Sequence, residues 1–144
     1  MTKDKHYGGR AWIELDRTAL HHNVDALRAL LPNGCELMPA IKTNAYGHGA
    51  VLISKELNRL DVNAFCVATV QEGVELRKNS VNGTILVLGY THPRDFPLLR
   101  RYNLMQTVLD LSYAKVLDRY GKKISVHVKI DTGMRRLGER SEKI

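Results

Sequence analysis

The period of the apolar positions changes repeatedly along the chain, and each change marks an element. Ala11 to Asp16 reads as a strand, a partly apolar ribbon built on Trp12, Ile13 and Leu15, and Asp16 or Thr18 can cap the helix that follows. Leu20, Val24, Leu27 and Leu31 then recur at helical spacing until Pro32-Asn33-Gly34 stops them. A second strand runs from Cys35 to about Lys42, a glycine-bearing loop follows, and Val51 to Leu60 returns to helical spacing. Ala64 to Ala68 is a third strand. Thr69-Val70-Gln71-Glu72 matches a capping box, in which the threonine caps forward and the glutamate reaches back, opening a helix that ends near Asn79. Thr84 to Leu88 is a fourth strand, ended by Gly89, and Pro93 suits the first turn of a short helix through Arg101. Leu104 to Leu109 is a fifth strand, with a helix capped at Asp110 or Ser112 and closed by Gly121. A sixth, Ile124 to Ile130, ends at Asp131-Thr132-Gly133, and the chain runs on to Ile144 as a loop or the opening of another helix.

These strands are short, β-branched and apolar on both faces, as strands of a helix-covered parallel sheet are. Their starts at Cys35, Ala64, Thr84, Leu104 and Ile124 recur about every 20 to 30 residues. That period fits successive βα units. The predicted fold class is therefore α/β: an incomplete (β/α)8 TIM-type barrel of about five of eight units, with a leading N-terminal strand and helix. A closed barrel takes roughly 250 residues, and this chain has 144. No strand runs into Gly-x-Gly-x-x-Gly and no P-loop is present, which argues against nucleotide and dinucleotide folds.

Charge narrows the partners. The formal net charge is +7, but the basic residues are scattered, with short clusters at Arg100-Arg101, Lys122-Lys123 and Arg135-Arg136 and little aromatic interleaving. Nucleic acid is thus not an expected partner. No apolar run approaches the length of a membrane span, and the polar opening Met1 to His6 leads into no signal-like apolar region. Cys35 and Cys66 read as reduced core residues, which fits a cytoplasmic location, and His21-His22 reads as surface, because adjacent helical residues point to different faces.

Two polar clusters interrupt the apolar pattern. Pro39-Ala40-Ile41-Lys42-Thr43-Asn44-Ala45-Tyr46-Gly47-His48-Gly49 turns from strand to loop at Lys42. A lysine there either snorkels to water or, once desolvated, serves as a base or Schiff-base nucleophile. In the second cluster, Val126, Val128 and Ile130 alternate with His127, Lys129 and Asp131. If the valine face meets the helices, Lys129 and Asp131 point inward near the strand's C-terminal end, where barrel active sites lie. The other reading is a solvated face on an edge strand. Gly133 permits a turn that could aim Arg136 across the barrel mouth at a carboxylate or phenolate, with Arg135 outward and Met134 packing.

Lys42-Thr43-Asn44-Ala45-Tyr46-Gly47-His48-Gly49 closely resembles the pyridoxal phosphate attachment motif of alanine racemases, and Lys129-Ile130-Asp131-Thr132-Gly133-Met134-Arg135-Arg136-Leu137-Gly138 resembles that family's second signature. Ala11 to Asp16 looks like its first strand and Ile85 to Gly89 like an internal one. Cys35-Glu36-Leu37-Met38 and Leu88-Gly89-Tyr90-Thr91 are similar to the serine racemase branch found in vancomycin resistance. Arg135 and Thr43 depart from the small residue and the alanine common in the family.

The resemblance implies a complete protein that interconverts L- and D-alanine, or serine, by removing the α-proton and returning one to the opposite face, with pyridoxal 5'-phosphate as cofactor. By it, residues 1–144 are the N-terminal part of the cofactor-binding barrel. Lys42 would hold the cofactor as an internal aldimine and act as one base. Tyr46 would bind its phosphate. Arg136 would contact the cofactor's phenolic oxygen and the substrate carboxylate, and Lys129 is often carbamylated. The opposite base is a tyrosine of a second subunit's C-terminal domain, so the complete protein would be a homodimer. Tyr90, Tyr102, Tyr113 and Tyr120 lie in the wrong part of the pattern to supply it. The chain alone would be inactive and aggregation-prone at its open sheet edges. A non-catalytic cofactor carrier and a barrel for a phosphorylated sugar are the competing classes.

Overall fold

A computed structural model describes residues 10–140. The polar opening at Met1 to His6 and the final residues up to Ile144 lie outside the described residues. Helix α1 (Arg17–Ala29) is capped by Asp16, whose carboxylate accepts the Ala19 N–H at 3.0 Å. One turn, α2 (Lys42–Tyr46), and α3 (Ala50–Arg59) precede the sheet. Strand β1 (Ala64–Val67), α4 (Val70–Lys78), β2 (Thr84–Val87), α5 (Phe96–Arg101), β3 (Met105–Val108), α6 (Leu111–Arg119) and β4 (Val126–Val128) follow in alternation. Short strands β5 (Ile130–Asp131) and β6 (Glu139–Arg140) pair with each other beyond β4.

The sheet runs β1-β2-β3-β4 in sequence order with every pair parallel. Paired residues of neighbouring strands share a face. Phe65, Val67, Ile85, Val87 and Val108 lie on one face and form the core with Leu57, Val70, Leu76, Phe96, Leu99, Tyr113 and Leu117 of the helices. The register puts Val126 and Val128 on this helix-facing side, opposite Gln106 and Val108. The other face carries Cys66, Leu86, Met105, Thr107 and His127, and Lys129 continues that alternation. At the end of the sheet where the strands begin, Arg77 of α4 donates to the carbonyls of Tyr102, Val81, Gly83 and Asn103 and fastens the loops before β2 and β3 together.

Several expectations are corrected. Residues 11–16 are not a strand. Trp12 and Ile13 are exposed, and among the described residues no neighbouring strand supplies the ladder that an apolar ribbon needs. The expected strand from Cys35 to Lys42 is reduced to one parallel bridge between Ala40 and Cys66, with Ile41 N–H to Cys66 O and Cys66 N–H to Pro39 O, both 2.9 Å. Among the described residues it is paired on one side only. The helix expected from Pro93 begins as a 3-10 turn at Pro93–Asp95 before α5. The last strand breaks at Lys129 into β4 and β5. Cys35 is exposed rather than in the core, whereas Cys66 is half-buried. His21 is half-buried and bonded to Glu56 at 2.7 Å. Among the described residues no helix is long and apolar enough to cross a membrane.

Candidate active site

Lys42 stands at the C-terminal end of the first sheet segment, directly after buried Ile41. The backbone then turns the unusual way. Thr43 (φ 55, ψ 47), Asn44 (φ 54, ψ 45), Ala45 (φ 52, ψ 47) and Tyr46 (φ 54) all occupy the left-handed region, and Gly47 follows at φ 94. Each such non-glycine residue costs about 1–2 kcal/mol, so its surroundings must hold it. The holding contacts are local and specific. Ala45 is buried, and its carbonyl lies 2.8 Å from His48 Nδ1. Asn44 Oδ1 accepts the Ala50 N–H at 2.8 Å, capping α3, while the Asn44 carbonyl accepts the Gly49 N–H at 2.9 Å. At the entrance, the Thr43 N–H donates to Glu72 Oε1 at 2.7 Å.

The turn brings Lys42 and Tyr46 together, with Lys42 Nζ 5.9 Å from the centre of the Tyr46 ring. Lys42 is half-buried and has no carboxylate partner among the described residues. Tyr46 is 63% exposed.

The second cluster lies at the other edge of the sheet, beyond β4. The Lys129 N–H donates to Val108 O at 3.0 Å, and the Lys129 carbonyl accepts the Glu139 N–H at 2.9 Å. Asp131 Oδ1 accepts the N–H groups of Gly133 and Arg135, both at 3.0 Å, and shapes the loop. These bonds, Arg135's first and then Gly133's, hold the Asp131 carboxyl below its usual range. Asp131 is thus engaged with its own loop. Arg136 is exposed, and neither it nor Lys129 has a side-chain hydrogen bond or ion pair among the described residues. Among the described residues no hydrogen bond or ion pair joins this cluster to Lys42 or Tyr46.

Two of the tyrosines set aside as bases serve packing. The Tyr113 hydroxyl donates to Thr91 O at 2.9 Å and accepts the Thr91 N–H at 3.1 Å, and burial pushes its phenol up. Tyr120 meets Phe96 edge-on, with centroids 5.5 Å apart. Sequence reasoning missed Glu72. It placed this residue only in the capping box, which the structure contains. The available signal was that a carboxylate has two oxygens and a capping box needs one.

Residues 15–144 match the family model described as the alanine racemase N-terminal domain. The chain belongs to the alanine racemase family. It is 40% identical over 138 residues to an amino-acid racemase of Enterococcus faecalis, covering 96% of this chain and 20% of that protein. It is 41% identical over 129 residues to a serine/alanine racemase of Enterococcus gallinarum, covering 90% of this chain and 18% of that one. The solved alanine racemase of Bacillus anthracis superposes with a TM-score of 0.83 at 30% identity, over 92% of this chain and 35% of its own. The chain thus spans about a fifth of the two enterococcal relatives and about a third of the solved one. The parallel sheet with its helices is an incomplete alanine racemase barrel.

Proposed function

We propose that this chain carries the cofactor-lysine side of the active site of a pyridoxal 5'-phosphate-dependent amino acid racemase. Its favoured substrate is alanine, with serine as the alternative. The observation that carries the reading is Lys42 two residues after the parallel bridge of Ala40 to Cys66, heading a left-handed turn whose cost is met by dedicated hydrogen bonds. Backbone strain held in place by its surroundings is characteristic of functional sites.

The donor set fits the cofactor. Lys42 offers a half-buried amine for a covalent link to an aldehyde, and Tyr46 an exposed hydroxyl for a phosphate oxygen. When bound, pyridoxal phosphate supplies the electron sink that stabilises negative charge at the substrate α-carbon. Lys42 Nζ then holds or returns the α-proton on one face. Arg136 offers a planar fork for the substrate carboxylate, and Lys129, made anionic by carbamylation, would hold that guanidinium. In this reading the complete protein is a cytoplasmic homodimer in which the other subunit supplies the opposite base.

Borohydride reduction of the complete protein with pyridoxal phosphate, followed by peptide mapping, is expected to leave the adduct on Lys42. An adduct elsewhere would overturn the assignment. Racemisation of L-alanine and of L-serine by the same preparation separates the two substrates, and an adduct without racemisation of either would make the protein a cofactor carrier.

A further inference from the structure

We infer that Glu72 is the positioning residue for Lys42, coupling the start of α4 to the cofactor lysine. The inference rests on the cofactor reading of Lys42. The half-buried carboxylate is divided between two tasks. Oε2 accepts the N–H groups of Ala68 at 2.6 Å and Thr69 at 3.3 Å, completing the capping box together with Thr69 Oγ1, which accepts the Glu72 N–H at 3.3 Å. Capping is complete with that oxygen alone. Oε1 does something the cap does not require: it accepts the Thr43 N–H at 2.7 Å, from a residue 29 positions earlier.

The place of that bond gives it its meaning. The Thr43 N–H belongs to the peptide plane joining Lys42 to Thr43, and Thr43 is the first residue in the left-handed region. Fixing that plane fixes the exit from Lys42, and so the direction in which its side chain leaves the backbone. A charge-assisted bond about twice as strong as a neutral one helps offset the cost of the left-handed residues that follow. Glu72 therefore acts on the cofactor lysine through the backbone, without touching the cofactor or the substrate.

The two tasks can be separated by substitution. Glu72→Gln leaves one acceptor oxygen. Two donors wait at the cap and one at Thr43, so the oxygen serves the cap and the amide nitrogen faces the Thr43 N–H, donor to donor. Glu72→Asp keeps both oxygens but shortens the reach by one methylene, and loses the Thr43 bond by distance. Thr69→Ala removes a cap oxygen and leaves the Glu72 carboxylate whole.

The test uses the complete protein and three readouts: exchange of the Thr43 amide without cofactor, the apparent Kd for pyridoxal phosphate from the borohydride-trapped fraction on Lys42, and thermal unfolding. Glu72→Gln is expected to speed Thr43 exchange and to raise the apparent Kd by about tenfold or more, the scale of one bond to a charged group. Glu72→Asp is expected to move both in the same direction and serves if the glutamine variant does not fold. Thr69→Ala is expected to lower the unfolding temperature while leaving both other readouts within about twofold. If the Glu72 variants trap cofactor as the unsubstituted protein does, or Thr69→Ala moves all three readouts equally, Glu72 is a helix cap only and the inference is overturned. If the unsubstituted protein forms no Lys42 adduct, the cofactor reading falls first and takes this role with it.

Discussion

Glu56 lies on α3 with its carboxylate turned toward α1. It accepts from His21 Nε2 at 2.7 Å and pairs with Arg17 Nε at 3.0 Å and with the Arg59 guanidinium, while its own side chain is 10% exposed. The His21 hydrogen bond, more than the Arg59 bond and the two guanidinium charges, holds its carboxyl below the ordinary range, against the opposing effect of burial. A carboxyl whose folded pKa is depressed stabilises the fold above its unfolded value and loses that contribution as pH falls through the folded value. The α1–α3 junction should therefore weaken on acidification from about pH 5 downward. Glu56→Gln should flatten the acid limb of a plot of unfolding temperature against pH. Equal slopes in the two proteins would show that the cluster contributes nothing to acid sensitivity. None of this was readable from the chain: helical spacing showed Glu56 on a face of α3, and His21 as one of two adjacent imidazoles, but the contact spans 35 residues. Glu72 was hidden in the same way, since its partner Thr43 lies across a loop.

Elements were legible where they are determined locally. Asp16, Thr69 and Asp110 all cap as their positions imply, Asp110 by accepting the Tyr113 N–H at 2.7 Å. Strands β1 and β2 are buried, largely apolar runs that match their sequence signal, and β3 is buried too although it carries Gln106 and Thr107 in its middle. Segments 11–16 and 35–42 carry a similar signal without forming strands, because a strand also needs neighbours to accept its hydrogen bonds, and sequence does not say where those are. The left-handed α2 was visible only as a loop requiring glycine. Gly47 announced a turn, but nothing in Thr43 or Ala45 announces a positive φ. Glycine does decide the join of β1 to β2. Gly83 has φ +91, and a Cβ there would sit 1.9 Å from the Asn63 carbonyl oxygen, which also accepts the Thr84 N–H at 2.7 Å. Gly121 has φ +66 with open space around it. Gly121→Ala should therefore cost about 1–2 kcal/mol from backbone conformation alone, and Gly83→Ala clearly more, since the backbones of β1 and β2 must part. Urea unfolding of the two variants tests the difference, and equal losses would show that the join can yield.

At the scale of the whole chain, the sheet presents Lys42 at one edge, and among the described residues no strand pairs with the far side of β4. Beyond β4, Val128 is 68% exposed, and with Ile130 it forms an apolar groove against Leu111 and Ala114 of α6. Unpaired strand edges beside exposed apolar surface promote self-association. The net charge of +7 opposes it, because like-charged copies repel. The two effects respond differently to salt. At physiological ionic strength repulsion is screened beyond about 8 Å, while apolar burial is not weakened. Self-association of the chain should therefore rise with added sodium chloride. Val128→Lys places a charge in the groove on a residue whose side chain is already mostly in water. It should suppress the salt-dependent association seen by light scattering and leave the circular dichroism spectrum and unfolding temperature essentially unchanged. If Val128→Lys associates as the unsubstituted chain does, the contact lies elsewhere, and the paired-on-one-side segment around Ala40 is the next surface to charge.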